Sequence, residues 1–216
     1  MKKNTLKPHL ELLPEYTRKI FKDLVKFEPQ GILGGGTATM LLLGHRRSFD
    51  LDVFLPNPIS KRLLLALKST YQNRLQRPLV DSGNELSVVI SPKTKVSFIF
   101  FPFPPLHATT KTDSLDLFSL EDLASNKAYV IGRRGAWRDY VDLFFILKNG
   151  VEFAKVIAEA KKRFGGAFSE KLFLEQLTYY GDLDDFTADF LGASYNPKDT
   201  QNFFQKVVRD FLKEIN

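Results

Sequence analysis

The sequence has no cysteine among its 216 residues, and it has only three histidines, two methionines and one tryptophan. Without cysteine, the chain cannot form a disulfide framework, a zinc or iron–sulfur site built on thiolates, or a cysteine nucleophile. The three histidines stand at scattered positions, which argues against a metal site made of imidazoles. These absences exclude thiol chemistry as the basis of any activity.

Long apolar runs are also missing, because no segment approaches the roughly 20 apolar residues that a membrane helix requires. The basic N-terminal stretch does not predict a signal peptide, since Glu11, Pro14 and Glu15 interrupt its core. We therefore expect a cytoplasmic protein with no membrane partner. Apolar residues at 44% and charged residues at 26% indicate a globular chain rather than a disordered or fibrous one. The net charge of +6 fits an anionic substrate or a nucleic acid, but by itself it is weak evidence.

The pattern of predicted elements changes near residue 110. Before it, predicted helices at 12–27, 37–43 and 61–74 alternate with short strands at 32–33, 50–55, 78–81, 85–90 and 95–101. After it, apolar residues at helical spacing predict helices at about 119–132, 137–148, 151–163, 168–179 and 197–214. The sequence thus predicts an α+β fold, with a mixed α/β domain in residues 1–110 and a helical domain in residues 111–216.

The most informative segment is LGGGTATMLLLGHRRSFDLDVFLP, residues 33–56. A short strand runs into three glycines, which lack a Cβ and let a phosphate group approach their N–H groups. A helix follows, and a helix N-terminus favours anions. Thr37 adds a hydroxyl donor. A glycine triplet alone is usually a tight turn, but this order of elements is typical of a phosphate-binding turn.

Asp50 and Asp52 follow on a predicted strand. The period of two along a strand places both carboxylates on one face. Two neighbouring carboxylates repel each other unless a cation neutralises them. Mg²⁺ binds carboxylate and phosphate oxygens together, so the pair indicates metal-assisted phosphoryl or nucleotidyl transfer. A solvated strand face is the alternative interpretation of this pair.

The sequence does not assign single roles to three residues between the glycine turn and the acidic pair. Arg46 and Arg47 either contact phosphates or RNA, or form ion pairs with Asp50 or Asp52. We expect His45 to be a structural hydrogen-bonding residue rather than a ligand.

The segments GGTAT (35–39) and LGHRRSFDLDVF (43–54) resemble the AbiEii/AbiGii-type nucleotidyltransferase toxins, a family of the DNA polymerase β-like nucleotidyltransferase superfamily. Four later segments are also similar to the family and extend the resemblance over nearly the whole chain: KVSFIFFPFPPL (95–106), SLEDLASNKAYVIGRRGAWRDYVDLFFIL (119–147), YYGDLDD (179–185) and NFFQKVV (202–208). The resemblance implies a nucleotidyltransferase-like mixed sheet followed by a helical C-terminal half.

The resemblance also implies roles for individual residues. Asp50 and Asp52 would hold Mg²⁺ or Mn²⁺, and the nucleoside triphosphate (NTP) would be bound by this set of residues: Gly35, Gly36, Thr37, Arg47, Ser48 and Lys127. Asp139 would be the acid near the nucleotide, and with Asp50, Asp52 and Lys127 it completes the implied catalytic set. Before the resemblance is considered, Lys127 could equally be a solvated lysine. Asp139 could equally form a structural ion pair with one of three arginines: Arg133, Arg134 or Arg138.

The chain departs from the superfamily at one position. Many members carry a third carboxylate on a later strand, where it helps to bind one metal ion and activates the attacking hydroxyl. The matching residue here is Ser97, which is neither a charged ligand nor a good base at neutral pH. Either Asp81 or Glu85 substitutes for it, or catalysis is weak, or the protein only binds nucleotide.

The expected function is transfer of a nucleoside monophosphate (NMP) from an NTP to a hydroxyl acceptor. The resemblance implies the toxin of a toxin–antitoxin or phage-defence pair, with an antitoxin encoded nearby and with RNA, such as a tRNA 3′ end, as acceptor. Two alternatives stay open: a non-catalytic nucleotide- or RNA-binding protein on the same scaffold, and a transferase acting on small molecules, as antibiotic-modifying enzymes do.

Overall fold

The chain forms two compact units in the computed structural model, which describes residues 7–27, 29–133 and 135–215. The first unit contains the described residues up to Leu42, together with Ser48–Pro104 and Ala108–Phe118. The second contains Leu43–Arg47, Pro105–His107 and the residues from Ser119 onward. The sequence analysis puts a single domain boundary at residue 110. In the structure, the chain passes between the units five times, and the last passage follows Phe118. Within the described ranges, no helix is both long and apolar enough to cross a membrane.

A five-stranded mixed sheet lies at the centre of the first unit, with the strand order β1-β2-β5-β4-β3. The strands are β1 (Ile32–Leu33), β2 (Leu51–Leu55), β3 (Val80–Asp81), β4 (Glu85–Ile90) and β5 (Thr94–Phe100). β2 and β5 run parallel, and the other neighbouring pairs are antiparallel. β4 and β5 form the predicted hairpin, because the short turn between them returns the chain directly beside itself.

The two faces of this sheet differ in chemistry. Leu51, Val96 and Val88 are partners across β2, β5 and β4, and all three are fully buried. One position further along β2, the partners are Asp52, Ser97 and Ser87. Since cross-strand partners share a face and successive residues alternate, one face belongs to the apolar core and the other carries a polar row.

Three helices complete the first unit: α1 (Glu15–Asp23), α2 (Gly35–Leu43) and α3 (Lys61–Tyr71). The helix predicted over 12–27 is shorter in the structure, because Pro14 is the N-cap of α1 and a proline disfavours helical backbone at the residue before it. α1 lies against the core face of the sheet, where the Thr17 and Thr94 hydroxyls are 2.9 Å apart. Ser60 caps α3 as predicted, accepting a hydrogen bond from Arg62 N.

The second unit is helical and contains α4 (Leu120–Ile131), α5 (Trp137–Lys148), α6 (Phe153–Phe164), α7 (Glu170–Thr178) and α8 (Pro197–Ile215). Ser119 caps α4 by accepting a hydrogen bond from Asp122 N. α4 packs on α5, α6 and α7, and α8 packs on α5, α6 and α7 as well. The predicted α+β class, with strands in the first part and five helices in the second, is confirmed.

Candidate functional site

The glycine turn lies directly against the Asp52 carboxylate. Gly34 N donates to the carbonyl oxygen of Asp52 at 2.9 Å, and Gly35 has a positive φ of 64°. A Cβ added to Gly35 would collide with Asp52 Oδ2. Both the backbone conformation and the close approach therefore require glycine at position 35. The same residue begins α2, so a carboxylate of the predicted acidic pair lies beside a helix N-terminus.

The acidic pair occupies the beginning of β2. Asp50 precedes the strand and is exposed, Asp52 is half-buried, and Leu51 and Val53 between and after them are buried. The alternation that the sequence predicts over this segment is thus present in the structure, although the strand itself begins at Leu51. Its period of two directs the buried residues into the core and the two aspartates away from it.

Thr37 ties α2 to the residue before β2. Its side chain is fully buried, and its hydroxyl donates to the Asp50 carbonyl oxygen at 2.5 Å. Ser48 Oγ lies 3.2 Å from the same hydroxyl. Thr37 and Ser48 therefore meet beside Asp50. Because the Thr37 hydroxyl donates its proton to the Asp50 carbonyl oxygen, a contact between this hydroxyl and a phosphate stays a prediction.

In the second unit, the Asp142 carboxylate is the centre of a buried ionic cluster. It accepts hydrogen bonds from Arg46 Nε at 2.6 Å and Arg46 Nη2 at 2.8 Å. Lys127 Nζ lies 2.6 Å from its Oδ2, and His45 Nε2 lies 2.8 Å from its Oδ1. Since a carboxylate only accepts, His45 is the donor in this contact. Lys127 Nζ also binds Asp139 Oδ1 at 2.8 Å, so the cluster joins α4, α5 and residues 45–46.

The electrostatics of the cluster keep Asp142, Lys127 and Arg46 charged. Burial raises the pKa of Asp142, but the charges of Lys127 and Arg46 and the hydrogen bond from His45 outweigh it and hold the pKa well below its usual range. Burial lowers the pKa of Lys127, whereas Asp139 and Asp142 raise it, and the net result is a raised pKa. The pKa of Arg46 is raised too, because Asp142 overcomes the effect of burial. Each charge is therefore stabilised by its partners inside the protein.

The partners of the two arginines differ from the expected ones. The ion pair of Arg46 is with Asp142, and that of Arg47 is with the exposed Asp189, at 3.0 Å. The sequence analysis considered Asp50 or Asp52 as partners because they are near in sequence. Residues 43–47, however, fold with the second unit, to which Asp142 and Asp189 belong. The nucleotide contact assigned to Arg47 stays a prediction.

The structure also settles the local surroundings of His45 and Asp139. His45 is buried and hydrogen-bonded, as expected for a structural residue. The ion-pair partner of Asp139 is Lys127 rather than a neighbouring arginine, and Arg133 donates to the Ala167 carbonyl oxygen instead. Arg134 lies outside the described residues. The structure thus brings Lys127 and Asp139 together, two residues for which the sequence indicated a shared site only through family resemblance.

The sequence analysis did not identify Asp142 as the centre of the ionic cluster, and it did not identify Ser87 as the hydrogen-bonding partner of Ser97. Asp139 and Asp142 are three residues apart on one helix face, and nothing in that spacing indicates which of the two is fully buried. Ser87 is the cross-strand partner of Ser97, and their hydroxyl oxygens are 2.8 Å apart. The short hairpin turn could have indicated this pairing, since it fixes the register of β4 and β5.

The residues of the first unit fit a magnesium ion that is shared with a substrate. The described residues contain no group of three or more histidine, aspartate or glutamate side chains placed to hold a metal ion. Two carboxylates, Asp50 and Asp52, lie at the beginning of β2, and Asp52 contacts the glycine turn. Mg²⁺ is typically bound by one or two carboxylates, with water and substrate phosphates completing its coordination. The carboxylate pair at the beginning of β2 suits that arrangement.

Solved structures with a similar fold include proteins described as nucleotidyltransferases. The structure superposes on MenT4, a nucleotidyltransferase toxin of Mycobacterium tuberculosis H37Rv, with a TM-score of 0.56 and 13% identity, covering 89% of this chain and 81% of that one. A putative nucleotidyltransferase of Helicobacter pylori gives a TM-score of 0.53 and 17% identity, covering 100% of this chain and 99% of that one. The mixed sheet and the helices that follow it are thus a nucleotidyltransferase fold.

The family model for the nucleotidyl transferase AbiEii toxin of type IV toxin–antitoxin systems matches residues 19–213. The chain therefore belongs to the AbiEii nucleotidyltransferase toxin family, as the sequence motifs indicated. An uncharacterized protein of Aquifex aeolicus (strain VF5), aq_aa25, is 26% identical over 185 residues, which cover 84% of this chain and 87% of that relative.

Proposed function

We propose that this toxin-family protein transfers NMP from an NTP to a hydroxyl group of RNA and that it depends on Mg²⁺ or Mn²⁺. The observation that supports this most strongly is the contact between Gly35 and the Asp52 carboxylate. It brings a carboxylate next to backbone N–H groups at the start of a helix, where a phosphate is favoured. Transfer of a nucleotidyl group requires both kinds of group together.

The proposed roles follow the chemistry of each group. Asp50 and Asp52 hold the metal ion, which neutralises phosphate charge when it is bound. Gly35 and Gly36 offer N–H groups to the β- and γ-phosphates, and Thr37 fixes the backbone of Asp50. Lys127 steadies the nucleotide.

Asp139 orients Lys127 through their ion pair. Arg47 and Ser48 contribute to nucleotide binding. For Ser48, the support is its proximity to the Thr37 hydroxyl in the first unit.

We further propose that the acceptor is the 3′ end of a tRNA, that a cognate antitoxin encoded nearby restrains the protein, and that it acts in the cytoplasm. The family supports a nucleotidyltransferase toxin in general. The net charge of +6 suits an RNA partner, because phosphate contacts from basic residues supply much of the affinity for nucleic acid.

A second candidate function is binding of nucleotide or RNA without catalysis. Ser97 favours it, because this residue is the direct partner of Asp52 across the parallel strands, where a third carboxylate would lie closest to the metal site. A serine hydroxyl supplies no charge to a metal ion. Transfer to small alcohols, as in antibiotic-type transferases, is the remaining alternative.

One experiment separates these functions. The protein is incubated with each labelled NTP and Mg²⁺, either with total RNA or with small alcohols, and Mg–NTP binding is titrated by calorimetry. We expect label on RNA of tRNA size, with both binding and transfer lost in Asp50→Asn and Asp52→Asn. Asp210→Asn, which removes an exposed carboxylate of α8 in the second unit, serves as the matched control. Binding without transfer would support the non-catalytic alternative, and unchanged Mg-dependent binding in both variants would remove the metal-site assignment.

A further inference from the structure

Two long stretches of the chain carry basic residues and no acidic ones. Residues 53–80 and 86–112 contain no aspartate or glutamate, and Asp81 and Glu85 are the two acids between them. The lysines and arginines of these stretches are Lys61, Arg62, Lys68, Arg74, Arg77, Lys93, Lys95 and Lys111. How far this positive charge is neutralised depends on where the fold places the two acids.

Three of these basic residues lie together at one end of the sheet. Ser91 directly follows β4, and its N–H donates to the Arg74 carbonyl oxygen at 2.8 Å. Arg74 Nη2 in turn donates to the Ser91 carbonyl oxygen at 3.3 Å. Lys93 stands in the short turn between β4 and β5, and Lys95 is the second residue of β5. Arg74, Lys93 and Lys95 therefore form a basic rim where β4 ends and β5 begins.

The two acids lie at the opposite end of β4. Glu85 is the first of its six residues, and Asp81 is the register partner of Leu86, the second. Because a strand rises about 3.4 Å per residue, this end of β4 lies about 17 Å from the basic rim. At an ionic strength of 0.1 M, solvent-exposed charges separated by more than about 10 Å are largely screened from each other. The two acids therefore do not neutralise the basic rim.

The basic rim has no acidic partner of its own within the described ranges of the chain. Its three side chains form no ion pair there, whereas Lys111 of the same unit pairs with Asp116. Arg74 and Lys93 are exposed, and Lys95 is half-buried. A guanidinium has five N–H donors, and the bond from Arg74 to Ser91 uses one of them. Exposed cations without a partner are available to an anionic ligand.

The basic rim borders the proposed metal site. Leu51 of β2 is the register partner of Val96 of β5, and the two strands run parallel. Asp50 and Lys95 each precede one member of this pair, so they are neighbours across the two chains, whose backbones lie about 4.8 Å apart. The three cations therefore lead from the outer end of β4 to the acidic pair at the beginning of β2.

We propose that the basic rim binds the phosphates of a single-stranded RNA end and leads its 3′ hydroxyl to the acidic pair, an inference that rests on the transferase function proposed above. Each nucleotide of RNA adds one phosphate charge, so a row of cations that ends beside a metal site suits a chain whose reactive group is its end. Lysine and arginine both bind phosphate oxygens, and arginine does so with two parallel hydrogen bonds. Such contacts position the strand without reading its bases.

The test measures binding of a short single-stranded RNA with a fluorescent 5′ label and a free 3′ hydroxyl, by anisotropy at a series of KCl concentrations. In the double variant Arg74→Gln/Lys93→Gln, we expect RNA affinity to fall about tenfold for each lost charge-assisted contact. The slope of log affinity against log salt should decrease in magnitude by about 1.4, because each phosphate contact to a single strand contributes about 0.7. Lys93→Gln alone should lower it by about 0.7. The Mg–NTP dissociation constant, measured separately, should not change.

The matched control is Lys61→Gln/Arg62→Gln, at the start of α3. These two residues are exposed, and Ile59 N just before them donates to the Gly83 carbonyl oxygen at 2.8 Å. The start of α3 therefore lies at the acidic end of β4, far from the basic rim. The control removes the same charge from the same unit, and its RNA affinity and salt slope should match those of the wild type.

Three results would overturn the inference: unchanged RNA affinity in Arg74→Gln/Lys93→Gln, an equal loss in the control, or displacement of the RNA by polyglutamate at a lower charge concentration than by unlabelled RNA. The last result would indicate an acidic protein as the partner of the rim. The proposed function fails separately. A wild type that binds the RNA with the expected salt dependence, but transfers no nucleotide to it, would remove the transferase and leave the RNA-binding rim.

Discussion

Lys127 and Asp142 form a buried ion pair between α4 and α5, with Nζ 2.6 Å from Oδ2. The Asp142 carboxylate is fully buried and also accepts two hydrogen bonds from Arg46. Taking charged groups out of water is unfavourable, and only close partners compensate for it. The pair therefore ties the predicted nucleotide-binding lysine to the stability of the second unit.

Removal of the central carboxylate should destabilise the protein strongly. Asp142→Asn leaves the buried charges of Lys127 and Arg46 with one less partner, and we expect the free energy of unfolding to fall by about 3–5 kcal/mol. Asp189→Asn breaks the exposed pair with Arg47 and should change it by about 0–1 kcal/mol. Urea unfolding of the three proteins measures both values. Equal, small effects would show that the buried cluster contributes little to stability.

The same carboxylate should make stability depend on acid. The pKa of Asp142 in the folded protein lies well below its ordinary value of 3.8, so its stabilisation is present above that value and is lost as the pH falls below it. Between pH 4 and pH 2, the wild type should lose up to about 1.4 kcal/mol per pH unit more than Asp142→Asn loses. Urea unfolding at a series of pH values provides the comparison. Parallel profiles would contradict the depressed pKa.

Gly35 should be intolerant of any side chain. Gly35→Ala places a Cβ against Asp52 Oδ2 in a backbone conformation with φ 64°, and we expect weaker Mg–NTP binding together with lower stability. Gly165 has a similar φ of 52° with nothing near its Cβ position. Because the ψ of Gly165 is −134°, Gly165→Ala should show the backbone strain alone, about 1–3 kcal/mol. Calorimetric binding and urea unfolding of both variants separate the two effects, and equal losses would mean that the contact with Asp52 is unimportant.

Lys127 should contribute to both binding and stability. We expect Lys127→Ala to weaken NTP binding by about 1–3 kcal/mol, the scale of a charge-assisted hydrogen bond. Stability should fall as well, because Asp142 loses one of its cationic partners. Binding is titrated at a temperature where circular dichroism shows the variant folded. A fall in thermal stability without a change in NTP affinity would make the lysine purely structural.

Local patterns in the sequence were sufficient to predict most elements and part of the site. The alternation from Asp50 to Leu55 predicted β2, and the cap at Ser119 predicted the start of α4 within one residue. Such features depend on neighbouring residues only, through backbone preferences and the periods of helix and strand. The glycine turn and the acidic pair were identified in the same way.

The sequence by itself determined the class of fold and the family, and it identified the segment that carries the glycine turn and the acidic pair, because these depend on short motifs and their order. Only the tertiary structure decided that Arg46 pairs with Asp142 and that Glu85 rather than Asp81 shares a face with Ser97. Ion pairs between residues distant in sequence and the register of an edge strand are fixed by packing across the whole unit. A local pattern of residues therefore does not predict these pairings or this register.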